Sequence, residues 1–224
     1  MCGRFEIHSL MEIIATIFHI TGGNIRLVIT PNYNIAPTNE IPIVIQNKER
    51  QIVSARWGFV PLGCSDLSIG YKMINARAET VAEKPSFRQA LRNHRCLVIA
   101  DGFYEWKQQG KVRQPVYIRQ KSHQPFGFAG IYNVRTSLEG EKIRTCSIIT
   151  TEANELVRQV HDRMPVITPQ DKYDLWLDPG VHDPEVLLPI LKPCDPDALE
   201  LYEVSSAVNS PRNNSPDNLN KIND

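Results

Sequence analysis

The chain has 224 residues, of which 42% are hydrophobic, enough to bury one sizeable core and to favour a single domain over residues 1–224. Lys+Arg and Asp+Glu both number 25, so the net charge is zero, a basic field over the whole molecule is excluded, and any nucleic-acid site must be a local patch. The five cysteines include no CxxC pair, which argues against a disulfide framework and against a cysteine-rich zinc site.

The first half of the chain predicts a short extended start, one helix and two strands. Ser9 to Glu12 matches a capping box, and apolar residues at helical spacing follow as far as Phe18. A Gly-Gly pair at 22–23 would end this helix. Ile41 to Ile45 and Ile52 to Trp57 have the composition of strands, and Pro42 places the first of them at a sheet edge.

The second half predicts more strands than helices. Cys96 to Ala100 is a continuous apolar run, typical of a strand buried on both faces. Helices are predicted from a second capping box at Ser86, from Thr151 to His161, and from Thr168-Pro169. The remaining predicted strands are Val116–Ile118, Phe126–Tyr132, Cys146–Thr150 and Leu199–Val204. Because strands and helices do not alternate regularly, the fold class is α+β.

Targeting signals do not stand out in the sequence. The apolar stretch Leu10 to Ile20 is interrupted by Glu12 and His19 and lacks the cleavage site of a signal peptide. No stretch approaches the roughly 20 apolar residues of a membrane span. We therefore expect a cytoplasmic protein without a membrane partner, in agreement with the cysteine pattern.

Cys2 has a reactivity that no internal residue offers. If the initiator Met1 is removed, Cys2 carries a free α-amine beside its thiol, with reference pKa values of about 8 and about 8.5. The amine can form an imine with an aldehyde, and the thiol can then close a five-membered thiazolidine ring. The alternative interpretation is that position 2 is part of a frayed terminus.

Five further polar residues are candidates for a site. Asn75 and Arg77, at i and i+2, would face one side of a strand-like segment, where Asn75 can orient an N-terminal group and Arg77 a phosphate. Glu105 follows a buried strand between aromatic neighbours, a setting that raises the pKa of a carboxyl and suits proton transfer. His161 ends a predicted helix whose dipole would stabilise the protonated ring, and Arg163 adds positive charge beside it. Each has an ordinary structural alternative, as a surface hydrogen bond, a salt bridge or a helix cap.

Aromatic residues and arginines occur in these same stretches. One or two of the aromatic residues are expected to stack on nucleic-acid bases and the others to belong to the core: Trp57, Phe59, Phe103, Tyr104 and Trp106. Four arginines, if the fold gathers them, would form a basic groove on a neutral protein: Arg4, Arg56, Arg77 and Arg163.

Seven short motifs together resemble the SRAP family, the SOS-response-associated peptidase or abasic-site-processing proteins. They occur in that family's order and cover almost the whole chain: Met1–Phe5, Tyr33–Pro37, Trp57–Pro61, Ile74–Glu79, Asp101–Trp106, His161–Pro165 and Val208–Pro211. Each motif is weak alone, but the set is highly specific. The resemblance implies an α+β domain with a β-rich core of mainly antiparallel strands, peripheral helices, and a positively charged channel for single-stranded DNA.

The resemblance also implies roles for individual residues. Cys2 would crosslink to the aldehyde of an abasic site through a thiazolidine, Asn75 would orient its amine, and Glu105 and His161 would handle protons. Residues that would hold phosphates or lie near the DNA are Arg4, Arg77, Arg163, Pro37 and Trp106.

The expected partners are single-stranded DNA containing abasic sites and the replication machinery. The protein would be a monomer without cofactor or metal and would lie at the nucleoid when bound to DNA. By composition the tail around Asn209–Pro216 is disordered, whereas the resemblance implies that it packs. The segment from about residue 212 is expected to be flexible.

Other activities remain open at this point. β-Elimination at the imine, which would expel the phosphate on the 3′ side, would give a weak lyase, and Met1 could be removed autocatalytically. In an N-terminal-nucleophile amidase or peptidase, Cys2 would attack an amide with its own amine as base. A non-catalytic binder would hold single-stranded DNA reversibly, with salt-sensitive affinity.

Overall fold

The chain was analysed as a computed structural model that describes residues 2–21, 29–64, 66–136 and 140–222. Met1 and Gly22-Gly23, on which two of the expectations fall, lie outside these ranges. Strands make up more of the described chain than the helices and 3₁₀ turns together. The strands are β1 (Phe5–Ile7), β2 (Asn32–Ile35), β3 (Glu40–Gln46), β4 (Arg50–Trp57), β5 (Asn75–Arg77), β6 (Arg95–Ala100), β7 (Gly102–Gln109), β8 (Val112–Gln120), β9 (Phe126–Thr136), β10 (Lys142–Glu152), β11 (Arg163–Pro165), β12 (Ile167–Thr168) and β13 (Leu199–Glu203).

The helices are short and peripheral. They are α1 (Met11–Ile17), α2 (Arg88–Asn93), α3 (Glu155–Arg158), α4 (Tyr173–Leu177) and α5 (Pro184–Leu187). Single 3₁₀ turns occur at 67–72, 170–172, 188–190, 196–198, 206–209 and 216–219. No helix in the described ranges is long and apolar enough to cross a membrane.

Two sheets share the core. A five-stranded antiparallel sheet has the order β13-β8-β7-β1-β2. In the larger sheet, β10, β4, β3, β6 and β9 pair in sequence, and the pairing of β9 with β10 closes them into a ring. Two of these pairings are parallel, β10 with β4 and β10 with β5, and the others are antiparallel. The predicted α+β class with mainly antiparallel strands is therefore confirmed.

Strand β6 confirms the prediction of a strand buried on both faces. All of its residues from Arg95 to Ala100 are buried. The Arg95 guanidinium donates to the carbonyl oxygens of Leu91 and Arg92 at the end of α2, and to that of Trp176 in α4, at 2.6–2.8 Å. A single buried charge thus satisfies carbonyl groups that the ends of two short helices leave without intrahelical partners.

Several local predictions were wrong, and each for a tertiary reason. Pro42 lies in β3, an inner strand between β4 and β6, and not at a sheet edge. The proline is tolerated there because β6 pairs with β3 only at residues 43–44, so its missing amide hydrogen is not needed for that pairing. The Ser9 hydroxyl does not cap α1, whose N-cap is Leu10, but donates to the buried Asp101. Asn154 rather than Thr151 caps α3, because Thr151 belongs to β10.

The other two predicted caps were also displaced. Helix α2 begins after Phe87, and the Ser86 side chain does not cap it. Thr168 lies in β12, Pro169 is the N-cap of the 3₁₀ turn at 170–172, and α4 follows from Tyr173. A residue that matches a capping pattern can instead belong to a strand, as Thr168 does, when the sheet offers hydrogen-bond partners to its backbone.

Asn34 joins the C-terminal tail to the N-terminus. Its side chain is 2% exposed, and its Nδ2 group donates to the carbonyl oxygens of Val208, Ser210 and Asn213 at 2.8–3.2 Å. Its Oδ1 accepts from Arg4 Nη1 at 2.7 Å. Further along the tail, the buried Asn218 donates to the Asn213 carbonyl. One polar side chain thus organises a segment whose composition predicts disorder.

Replacing Asn34 by Ala should lower the free energy of unfolding by about 2–3 kcal/mol, since several buried polar groups lose their partner together. It should also expose the tail after Ser205 to limited proteolysis. Urea unfolding and a protease time course measure the two effects. Asn93→Ala, at an exposed amide on α2, is the control and should change stability by less than about 0.5 kcal/mol. Equal stability of the two variants would contradict this role of Asn34.

Candidate active site around Cys2

Strand β1 fixes the position of Cys2. It lies between β2 and β7, and the Tyr104 amide donates to the Arg4 carbonyl oxygen at 2.9 Å. Just after Cys2, the Phe5 ring packs edge-on against Trp57, with ring centroids 5.1 Å apart. Cys2 itself is 0% exposed. The start of the described chain is thus part of the core, not a frayed end.

Asn75 connects Cys2 to the larger sheet. It opens β5, which pairs in parallel with β10, and its Nδ2 donates to the Cys2 carbonyl oxygen at 2.8 Å. The contact is to the carbonyl, whereas the expectation was an interaction with the amine. Asn75 Oδ1 is buried and has no hydrogen-bond donor among the described residues. A buried acceptor of this kind is available to an amine placed beside it.

Glu105 lies inside β7, opposite Val116 of β8, and not after the end of a strand as predicted. It is 3% exposed. Burial raises the pKa of this carboxyl to about 7, and the negative charge of Asp162 acts in the same direction. Glu105 can therefore give or take a proton near neutral pH, as predicted from its aromatic surroundings.

The Cys2 thiol is held in its protonated form. Burial raises its pKa well above the ordinary value, and the charge of Glu105 raises it further. The strand register places the two residues close together, since Phe5 pairs with Phe103 and the Tyr104 amide donates to the Arg4 carbonyl oxygen, so that Glu105 continues the ladder toward Cys2. In this environment the thiol is a poor first nucleophile.

His161 differs from its prediction. It lies three residues beyond the end of α3 at Arg158, and burial lowers the pKa of its ring instead of a helix dipole raising it. A helix of four residues has little dipole to contribute. The neutral ring is therefore favoured, in which one nitrogen donates and the other accepts.

Two contacts compete for Nδ1 of His161. The Arg163 amide donates to it at 2.9 Å, while Asp162 Oδ1 lies 2.8 Å away and would need a hydrogen on that nitrogen. The backbone amide is fixed, whereas the Asp162 side chain is 86% exposed, so we assign Nδ1 as the acceptor. The hydrogen of the neutral ring is then on Nε2.

Two of the predicted phosphate-binding arginines are already engaged within the protein. Arg4 Nη1 donates to Val208 O and Asn34 Oδ1, both at 2.7 Å. Arg163 donates through Nη1 and Nη2 to the two carboxylate oxygens of Glu79 at 2.6 and 3.0 Å, and through Nη2 to the Thr150 carbonyl oxygen at 2.6 Å. This bidentate pair lowers the pKa of Glu79.

The other two arginines are placed differently. Arg77 is exposed at the end of β5, where its charge helps to lower the pKa of Glu79. Arg56 lies on β4 and pairs with Thr145 of β10. Asn75 pairs with Ile148, about three residues further along the same strand. The fold therefore gathers Arg77 and Arg163 around Glu79, and places Arg4 and Arg56 elsewhere.

Most of the aromatic residues belong to the core. Trp57, Phe59, Phe103 and Tyr104 are each 0% exposed. Trp106 is half-buried, donates from Nε1 to Asn209 Oδ1 at 2.7 Å, and has the Arg4 guanidinium 5.7 Å from its ring centroid. Pro37 lies in the turn between β2 and β3, where the Asn39 amide donates to the Ala36 carbonyl oxygen at 3.2 Å. Trp106 is thus the candidate for base stacking among these five aromatic residues.

An open cavity of about 580 Å³ joins several of the candidates. Its described lining residues are Glu105, Trp106, Gln108, Arg113, Val160, His161 and Asp162. Gln108 and Arg113 were not found from the sequence, because no strand was predicted over 102–109, and Asp162 was not singled out beside His161. The left-handed Gly110, with φ of 60°, marks the tight turn that brings β8 back beside β7.

A cluster that could ligate a metal has another explanation. Ligand atoms of Glu6, His8 and Asp101 lie within 4.8 Å of one another. Both Glu6 oxygens are engaged, with the Tyr117 hydroxyl and His8 Nδ1, and Asp101 Oδ2 accepts from the amides of His8 and Ser9. The cluster therefore anchors the end of β1 to β7 and β8.

Comparison with known proteins agrees with this architecture. The chain is 46% identical to the abasic site processing protein YoqW of Bacillus subtilis, over 97% of this chain and 98% of that protein. It is 44% identical to the abasic site processing protein YoaM of the same organism, over 100% and 99% of the two chains. A crystal structure of a protein from Bacteroides thetaiotaomicron matches with a TM-score of 0.87 and 28% identity, over 99% of this chain and 100% of that one.

The model of the family described as SOS response associated peptidase (SRAP) matches residues 1–211, which include every candidate site residue discussed above. With nearly the whole chain matched and relatives above 40% identity, the sequence motifs and the fold lead to the same assignment. The chain belongs to the SRAP family.

Proposed function

We propose that this protein processes abasic sites in single-stranded DNA by covalent capture through Cys2. The observation that carries the proposal is the convergence of Cys2, Asn75 and Glu105 from two different sheets, with His161 on the cavity beside them. The relatives named as abasic site processing proteins support the class of substrate.

The first step is removal of Met1, which uncovers the α-amine of Cys2. Asn75 Nδ2 then holds the Cys2 carbonyl, and the unused buried Oδ1 of the same side chain is the natural acceptor for the new amine. This geometry presents the nitrogen lone pair to a ligand while the rest of the residue stays fixed. Orientation of this kind replaces a bimolecular encounter by an effectively intramolecular one.

The amine attacks C1′ of the ring-opened abasic sugar, and loss of one water gives an imine. The thiol then adds to the imine carbon, forming a C–S bond while its hydrogen passes to nitrogen, and the thiazolidine closes. The raised thiol pKa fits this order, with nitrogen reacting first and sulfur second. Stopping at the imine would permit β-elimination, so a weak lyase activity belongs to the same proposal.

Glu105 and His161 divide the proton transfers. Glu105, with a pKa of about 7, is a suitable acid for the departing oxygen when the sugar opens and when water leaves. Neutral His161, with its hydrogen on Nε2, can donate a hydrogen bond to a sugar oxygen in the same cavity. The SRAP family name includes peptidase, and we assign that activity to self-processing at Met1. Use of Cys2 as a thiolate nucleophile on other peptides is disfavoured by its buried, protonated state.

Incubation with single-stranded DNA containing one abasic site should give a heat-stable adduct that shifts on a denaturing gel. Cys2→Ala should abolish it, while Cys64→Ala, at a partly exposed cysteine, should behave as the wild type. Cys2→Ser keeps the amine, so it should give an adduct only after borohydride reduction of the imine. Equal heat-stable crosslinking by Cys2→Ala and the wild type would refute the proposal.

Glu105→Gln should slow crosslinking by on the order of 100-fold, since general acid–base groups typically contribute that much or more. In the wild type, the plot of crosslinking rate against pH should bend downward at about pH 7, because the acid form of Glu105 is lost as the pH rises through that value. Gel-shift rates between about pH 5.5 and 8.5 measure both effects.

The control for Glu105→Gln is Asp162→Asn. This variant should keep the bend but move it to lower pH, because the Asp162 charge helps to raise the pKa of Glu105. A bend at pH 7 that persists in Glu105→Gln would assign the titration to another group.

A further inference from the structure

The cavity beside Glu105 extends well beyond the groups that the proposed chemistry uses. Its volume of about 580 Å³ is within the range of pockets that hold small-molecule ligands, and its lining includes Gln108 and Arg113. These two residues lie opposite each other in the β7–β8 ladder. They lie about three residues, or about 10 Å, along β7 from Glu105 toward the turn at Gly110.

Charge differs along the cavity. Its Glu105–His161 end has the Glu105 carboxyl, the exposed Asp162 carboxylate and a histidine whose lowered pKa favours the neutral ring. Among the described lining residues, Arg113 alone has a permanent positive charge. A phosphate group in the cavity would be repelled by the carboxylates and attracted to the Arg113 side.

The Arg113 guanidinium is also available. It is exposed and has no hydrogen bond or ion pair within the described part of the chain. By contrast, the guanidinium of Arg4 is bonded to Asn34 and Val208, and that of Arg163 to Glu79 and Thr150. A guanidinium with its donors unused suits bidentate contact with a phosphate.

We propose that Arg113 binds a backbone phosphate of a nucleotide next to the abasic site, in the half of the cavity bounded by Gln108 and Trp106. This rests on the proposed function, because Cys2, Glu105 and His161 mark where the abasic sugar reacts. Trp106, half-buried in the lining of the same cavity and two residues from Gln108 on β7, would stack on the base of that nucleotide. The DNA strand would then cross the open face of the hairpin.

The test is binding of the full chain to undamaged, dye-labelled single-stranded DNA, measured by fluorescence anisotropy between 50 and 200 mM salt. Arg113→Gln should weaken binding about 3- to 10-fold and reduce the slope of log K against log salt by about 0.7, the value for one phosphate contact to a single strand. Arg113→Lys should keep the slope, since the charge remains, but bind more weakly than the wild type.

Lys142→Gln is the control with matched charge loss. Lys142 is exposed at the start of β10. It lies about six residues along the strand, or about 20 Å, from Ile148, the residue that pairs with Asn75 at the candidate site. This is beyond the screening length of about 10 Å at 0.1 M salt, so the slope should equal that of the wild type. A slope for Arg113→Gln equal to that of Lys142→Gln and of the wild type would overturn the proposal.

Crosslinking separates this proposal from the proposed function. With abasic DNA below saturation, Arg113→Gln should form the adduct about 3- to 10-fold more slowly than the wild type, because its weaker binding lowers the occupied fraction, whereas Lys142→Gln should match the wild type. A wild type that forms no adduct would defeat the Cys2 chemistry, while the salt slopes on undamaged DNA would still decide the role of Arg113. Thermal melting of each variant checks that the hairpin remains folded.

Discussion

The site depends on one hydrogen bond, from Asn75 Nδ2 to the Cys2 carbonyl oxygen, at 2.8 Å. Cys2 precedes β1 of the five-stranded sheet, and Asn75 opens β5 of the larger one. The bond therefore fixes the N-terminus across the contact between the sheets, where Phe5 also packs on Trp57. A nucleophile placed at a chain end would otherwise be free to move, and its reaction would lose the advantage of orientation.

Burial around this bond determines the protonation states of the reactive groups. The same desolvation raises the pKa of the Cys2 thiol and of Glu105 and lowers that of His161, so the neutral form of each is favoured. Neutral groups suit a reaction that joins an amine to an aldehyde, because the reactants and the products are uncharged and the site only has to transfer protons between them. In the proposed function, the positive charge that would contact DNA lies outside this group, on Arg77 at the end of β5 and on Arg113 of the hairpin.

The sequence indicated the fold class and most of the long strands because hydrophobic runs such as Cys96–Ala100 are buried on both faces. It also indicated a raised pKa for Glu105 from its aromatic neighbours. It could not locate the caps or the protonation of His161, because these depend on partners distant in the chain, such as Asp101 for Ser9. Arg113 was missed for a related reason: its place on the cavity follows from the pairing of β7 with β8, and the first of those strands has no clear alternation of polar and apolar residues.

Mass spectrometry of the adduct tests the central claim, that amine and thiol of the same residue both bond to the abasic sugar. After trypsin and nuclease digestion, the account predicts a peptide that begins at Cys2, ends at Arg4, and carries the sugar with loss of one water. Its thiol should no longer react with an alkylating reagent, and it should gain no hydrogen from borohydride. An adduct on a peptide that still begins with Met1, or on a lysine, would contradict the account.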